Sequence, residues 1–363
     1  MKKKPKNPEK PKLSQKVPRP FKRKRSTEDK FSEALKDVPR ITNETVAEHR
    51  EDVLSSARKF IYPLQHSKRH VVRNSILILV AVIVAFFAYV TLSLYKFQST
   101  SGFMYGVTRV VPFPVAKVGD SWVSYESYLF ELRRNMHYYH TQQQTDFSSK
   151  SGKDQLALLK KQAMNQTIED AYVKQLAKEN GVSVSSKEVD NQVALVRQEN
   201  RLGNSDRVFN DVLKQFWGWN QNDFKRELRQ QLLQQAVVAK LDTQTNDKAE
   251  SALKQLQGGA DFANLAKQSS QDQNTAANGG AYAAPITPTS RDVAPIVTAS
   301  LFKLKAGQVS GLINTGYTLE IVKVLDATQN SVQAAHIQFN FKPISDFTKP
   351  LRKQEPPKIF IST

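Results

Sequence analysis

The chain has 363 residues, enough for two modest domains with tails, and its formal charge of +19 is unevenly spread. Up to Arg73 there are 21 Lys/Arg against 9 Asp/Glu, so the remaining four-fifths of the chain is only mildly basic and does not read as a nucleic-acid-binding body. The absence of cysteine excludes disulfides, thiolate zinc sites and a thiol nucleophile.

Residues 1–73 read as a basic, mostly disordered cytoplasmic tail, with Lys2, Lys3, Lys4 and the run Lys22-Arg23-Lys24-Arg25. Its first 40 residues carry too little apolar surface to pack a core. Two readings of this tail stand: a solvated topology signal, or contact with anionic inner-leaflet lipid or ribosome-proximal RNA. Residues 43–61 predict a short amphipathic helix capped by Asn43 or Thr45, with Val46, Val53, Leu54 and Ala57 as its stripe.

Residues 75–95 form an uncharged run of 21, enough to cross a hydrocarbon core of about 30 Å. Lys68, Arg69 and Arg73 precede it and only Lys96 comes after it. The positive-inside rule then keeps the N-terminus cytoplasmic and the C-terminal domains extracytoplasmic, on a single-pass protein of the cell membrane. A cleaved signal peptide fits less well: the run starts late, is long, and lacks a small-x-small exit.

Residues 98–114 read as a spacer. A strand is expected over 115–118, turned by Gly119-Asp120, and then a helix capped by Ser124. Further helices are expected beyond it: one carrying Leu156 to Leu176 and stopped by Gly181, one opened by the capping box Ser185/Glu188, one started at Asn204-Ser205-Asp206, and one from Gln221. Trp217 and Trp219 read as core plugs.

This order resembles the N-terminal chaperone domain of SurA- and PrsA-like foldases. The residues that carry the likeness are VAKVGDSWVSYESYLFEL (115–132), QAMNQTIEDAYVKQLAKENGVSVSSKEVDNQV (162–193) and WNQNDFKRELRQQLLQQAVV (219–238). The resemblance implies an all-α chaperone domain over 115–244.

After it, a helix capped by Asn246 or Asp247 is expected, then one opened by Asp261-Phe262, a polar turn ending in Gly279-Gly280, a helix over 294–304, and strands over 309–313 and 317–325. The stretches GADFANLAKQSSQDQ (259–273), NGG (278–280), LFKLKAGQVSGLI (301–313) and TGYTLEIVKV (315–324) resemble the parvulin, or PpiC-type, rotamase domain. That family starts with a histidine-bearing strand, for which this chain leaves no room before residue 246. The motif occurs late instead, as VQAAHIQF (332–339) with His336. Two readings stand: a circularly permuted domain over 245–341, completed by the late strand, or a truncated second repeat. In the first, a hairpin puts residues 332–341 beside 317–325, where the missing strand belongs. The tail 342–363 would run over this domain, with KIFI from Lys358 as an edge strand.

The fold expected is therefore α+β: one transmembrane helix, an all-α chaperone domain, and a parvulin-like antiparallel four-stranded sheet with helices. The resemblance implies a peptidyl-prolyl isomerase, a rotation needing neither metal nor cofactor. Asp272 matches the family's Cys/Asp position, His336 its first histidine and Glu320 its second. Val293 and Val297 fall at its Met/Phe proline seat, Phe302 adds to that substrate-binding set, and Tyr282 stands at a leucine position. Glu for His and two valines for Met/Phe are departures that point to weak catalysis. The alternative is a non-catalytic holdase or scaffold with a degenerate parvulin domain. Each residue also has a plain structural reading: His336 as a strand-face residue and Asp272 as a turn former. No metalloprotease, nucleophile-elbow, P-loop or Rossmann pattern occurs, and His137/His140 make a weak metal pair. The implied partners are unfolded or secreted polypeptides, the bilayer through residues 75–95, and anionic lipid through the tail, with no specific nucleic acid.

Overall fold

The computed structural model describes residues 41–61, 64–199 and 205–362. The unfolded tail expected over 1–40, and Asn204 as a helix start, lie outside them. The chain forms two compact units, one ending at Val84 and one beginning at Ala85.

In the first unit, helix α1 (Asn43–Ile61) forms where the amphipathic stripe predicts it. Its cap is Thr42, whose hydroxyl accepts from Thr45 N at 3.3 Å, rather than Asn43 or Thr45. Helix α2 (Leu64–Thr91) carries the apolar run. The stretch from His70 to Lys96 is long and apolar enough to cross a membrane.

The second unit opens on the end of α2 and a π-turn (Leu92–Lys96), in which Phe97 N bonds back five residues to Leu92 O at 3.1 Å. Residues 98–114 are not a free spacer. Helix α3 (Gly102–Val110), capped by Ser101, buries Met104 and Thr108. Val90, Leu94 and Met104 share one core with Val115, Tyr125 and Ile168. Tyr125 donates its hydroxyl to Leu94 O at 2.6 Å, and Tyr95 donates to Pro114 O at 2.5 Å.

Strands β1 (Pro114–Val118) and β2 (Ser121–Ser124) make a hairpin across Gly119, whose φ of +51° suits glycine. Helices α4 (Tyr125–Gln142), α5 (Lys150–Glu179), α6 (Ser186–Glu199), α7 (Asp206–Trp217) and α8 (Gln221–Leu241) come next. Ser124, Ser205 and Asn220 cap α4, α7 and α8, and the Ser185/Glu188 capping box forms at α6. Trp219 is buried and stacks on Phe130 at 5.4 Å, whereas Trp217 is partly exposed.

The next part holds α9 (Thr243–Gln257), α10 (Phe262–Ser269), α11 (Pro295–Leu301), β3 (Ile313–Asn314), β4 (Thr318–Ala327) and β5 (Val332–Asn340). The cap of α9 is Asp242, four or five residues before the expected position. Its carboxylate also accepts from Lys342 N at 2.9 Å, so one buried side chain ties the strand exit to the helix entry. The hairpin of β4 and β5 pairs Val322 with His336 and Glu320 with Gln338. One sheet face packs on α9 and α10 through Leu319, Ile321, Ile337 and Phe339; the other packs on α11 through Val322, Val324 and Ala334.

Three expectations need correction here. The sheet has three strands, β3-β4-β5, not four. Before β3 the ladder frays: Val309 makes one isolated bridge to Lys323, and the Ser310 hydroxyl takes the Val322 N–H at 2.9 Å. Beyond β5, Ala281 and Ile286 make single bridges, interrupted by Pro285, which has no N–H to donate. The helical part is also not all-α. Helix α12 (Ser345–Gln354) packs on α5, and β6 (Lys358–Ile359) pairs with β1, giving a second three-stranded sheet, β2-β1-β6. The tail thus returns to the helical part rather than covering the parvulin-like one, held by Thr348 to Glu169, Tyr172 to Glu355 O, and buried Ile361.

Candidate active site

The loop after α10 begins with Gln271 N bonding to Gln338 O at 2.8 Å, which lays it along β5. Asp272 then turns the chain, accepting from Asn274 N at 3.1 Å and from the Thr275 hydroxyl at 2.6 Å. A 3-10 turn (Ala276–Asn278) ends in Gly279 and Gly280, with φ of +68° and +79°. Gly280 O accepts the His336 N–H at 2.9 Å.

His336 lies between two carboxylates. Nε2 is 2.9 Å from Asp272 Oδ2, and Nδ1 is 3.1 Å from Glu320 Oε2. The Thr275 hydroxyl, which donates to Asp272, sits 2.9 Å from the same Nε2. Glu320 reaches His336 diagonally across the hairpin, from two positions before Val322, and its other oxygen accepts from the Thr318 hydroxyl at 3.1 Å. The Tyr282 ring stacks on the imidazole with centroids 4.4 Å apart. Side-chain exposure is 5% for His336, 10% for Glu320 and 17% for Asp272.

Burial pulls the His336 pKa down, but the hydrogen bonds and charges of Glu320 and Asp272 outweigh it, so the net direction is up. Burial raises the Asp272 carboxyl, and donors from Thr275, Asn274 and His336 carry it below its ordinary value. Burial and the negative charge of Glu320 push the Tyr282 phenol up, so it stays protonated. A carboxylate beside each ring nitrogen favours the form in which both donate, the imidazolium.

The structure brings Asp272, Glu320, His336 and Tyr282 into one cluster. It does not bring Val297 to a surface: that residue is fully buried in the core under α11, with Val293 nearly so. Phe302 is partly buried against the same core. Thr275 is the member of the cluster that pattern reading missed; its signal was the Asp-x-x-Thr spacing of a side-chain-bonded turn. A cavity of about 950 Å³ lies elsewhere, among β2, α4, α5 and α8, and is lined by Glu131, Asp170 and Arg226. A groove of about 570 Å³ runs between α6 and α8 on one side and residues 294–296 and 314–317 on the other.

Comparisons with known proteins fall on the same two parts. The SurA-like N-terminal domain matches residues 64–238, and the PPIC-type PPIASE domain matches residues 232–326. The second match ends ten residues before His336. A parvulin-like PPIase of Rickettsia bellii (strain RML369-C) is 33% identical over 93 residues, 26% of this chain and 33% of that protein. The chain therefore spans about a third of the length of that curated relative. Among solved structures, the foldase protein PrsA from Streptococcus pneumoniae str. Canada MDR_19A is similar at 23% identity, over 52% of this chain and 75% of that one, with a TM-score of 0.18.

Proposed function

We propose, from the premise that this chain joins a SurA-like N-terminal domain to a PPIC-type PPIase domain, that it is a membrane-anchored extracytoplasmic foldase. In this reading it grips unfolded or extended polypeptides and catalyses cis–trans isomerisation of their Xaa-Pro bonds. The observation that carries the reading is the Asp272–His336–Glu320 cluster, assembled from three separate stretches of the chain.

Isomerisation crosses a barrier of about 20 kcal/mol that comes from amide resonance, and no bond is broken. A site lowers it by desolvating the amide and setting fixed charges around the twisted form. Here Asp272 is the most exposed of the three and offers the charged oxygen nearest a bound chain. His336 has no free ring nitrogen, so its part is to orient both carboxylates and balance one of their charges. Tyr282 and Phe302 offer partly exposed apolar surface for a proline ring, with Val293 and Val297 as the wall behind.

We read β5 as the strand that completes the isomerase sheet from the C-terminal side. Its nine-residue pairing with β4 supports this over a truncated second repeat, and so does the end of the family match at 326. The boundaries proposed are the anchor over 75–95, the helical domain from 115 to 244 with the returning tail, and the parvulin-like domain over 245–341. Anionic-lipid contact by the N-terminal tail is part of the same proposal, supported by its charge alone.

The second reading, a holdase without turnover, is favoured by the low exposure of the cluster and by the groove lined by Val184, Leu195, Leu232, Ile296 and Tyr317. One experiment separates them. Full-length protein in nanodiscs is assayed for isomerisation of Xaa-Pro peptides and for suppression of aggregation of an unfolded client. The foldase reading expects both activities, with Asp272→Ala losing only the first. Suppression without isomerisation would make it a holdase, and neither activity would remove the reading.

A further inference from the structure

The end of the apolar helix is part of the folded exterior unit. Val90, Ser93 and Leu94 are buried, and Tyr95 and Leu94 are bonded to Pro114 and Tyr125. Only 16 residues, from Asn74 to Tyr89, lie between Arg73 and the first of these buried positions. At 1.5 Å per residue that is about 24 Å of helix, against about 30 Å of hydrocarbon. The missing ~6 Å is four more residues, which brings the hydrocarbon boundary to the level of Ser93. At that level one side of the helix, Val90, Ser93 and Leu94, is already packed against protein, so the foot of the exterior unit enters the bilayer interface.

The surface at that foot fits this position. Phe97, next after Lys96, is 71% exposed. Helix α3 turns Met104 and Thr108 into the same core as Leu94. On its opposite face stand Phe103 (60% exposed), Gly106, which has open space around it, and Val110 (83% exposed). The spacing of three and four residues puts them on one side. Lys96 and Arg109 flank this apolar surface and are exposed. Aromatic and aliphatic side chains with cations beside them are the composition of a membrane-interface segment.

We propose that the exposed face of α3, Phe103, Gly106 and Val110, lies together with Phe97 in the headgroup region of the bilayer that the apolar helix crosses, with Lys96 and Arg109 against lipid phosphates. The inference rests on the membrane-anchored reading above and deepens it.

The chain has no cysteine, so single-cysteine variants report one position each. Phe103→Cys, Val110→Cys, Leu79→Cys and Leu325→Cys, all at exposed positions, would be made in the full chain. Each would carry a nitroxide in nanodiscs of phosphatidylcholine and phosphatidylglycerol, and its collisions with oxygen and with a water-soluble nickel chelate would be compared. The expected result is a shift toward oxygen at positions 103 and 110 relative to 325, smaller than the shift at 79. If 79 shifts while 103 and 110 match 325, the face is in water and the proposal is overturned. Low collision with both reagents at 103 and 110 would put a protein partner there instead, and also overturn it. If 79 itself matches 325, the anchoring reading fails and the footprint fails with it.

Discussion

Gly280 and His336 lie back to back: the His336 N–H donates to the Gly280 carbonyl at 2.9 Å, and a Cβ on Gly280 would stand 2.1 Å from the His336 carbonyl oxygen. The glycine also sits at φ +79°, where a side chain is strained. The atom it would meet is backbone, which cannot swing away. Gly280→Ala is therefore expected to destabilise the parvulin-like part by about 2 kcal/mol or more. Urea unfolding of the full chain in detergent checks this, and an unchanged midpoint would contradict the close approach.

The hydrogen bonds and charges of Glu320 and Asp272 outweigh burial and raise the His336 pKa above the ordinary 6.5. A group whose folded pKa is raised contributes stability below its unfolded pKa and loses it as pH rises through the folded value. The fold should thus weaken as pH climbs above about 6.5. Glu320→Gln keeps the shape and removes one charge. It should lower the His336 pKa, read by NMR titration of the ring, and flatten that part of the pH dependence. A pKa unmoved by the substitution would show that Glu320 does not hold the proton.

A second pH effect comes from the helical part. Glu131 is buried against the large cavity, and burial pushes its pKa up to about 7. Arg134 pairs with it at 2.7 Å and pulls the other way, while Glu227 and Asp170 add like charge. Burial is the largest cause and prevails over Arg134 and the more distant Arg226; Asp170 is itself raised to about 6, burial first. A carboxyl raised on folding favours the folded state below its ordinary value of 4.5 and opposes it as pH rises toward 7. Glu131→Gln is expected to remove about 2 kcal/mol of the stability lost between about pH 4.5 and pH 8. Unfolding midpoints at the two pH values measure it, and an equal loss in both proteins would contradict the assignment.

Most helices were legible because their caps are local: Ser124, Ser205 and Asp261 each begin a helix by bonding a backbone N–H three residues on. The β4–β5 hairpin was legible from two short apolar stretches, TLEIVKV and VQAAHIQF, and the short polar turn between them. The parts that were not legible depend on distant contacts. SWVS (121–124) is too short to show alternation, and KIFI gave no hint that its partner is β1, some 240 residues earlier. The segment over 98–114 looked like a spacer because Ser, Gly and Pro punctuate it, yet Met104 enters a core that also takes Leu159, Ile168, Tyr172 and Ile361 from far along the chain. At the site, the family likeness supplied Asp272, His336 and Glu320. Pattern alone could not show that one imidazole bonds both carboxylates, or that Val297 lies behind the surface rather than on it.

The most direct test of the account is the rate of Xaa-Pro isomerisation by the full chain in nanodiscs, for the native protein and for Asp272→Asn. A fragment begun at residue 113 would strip Val90, Leu94 and Met104 from the core, so the whole chain is the right material. The account predicts a rate above the uncatalysed one that falls about tenfold in the variant, or about 1.4 kcal/mol of barrier. A folded native protein that leaves the uncatalysed rate unchanged would contradict it.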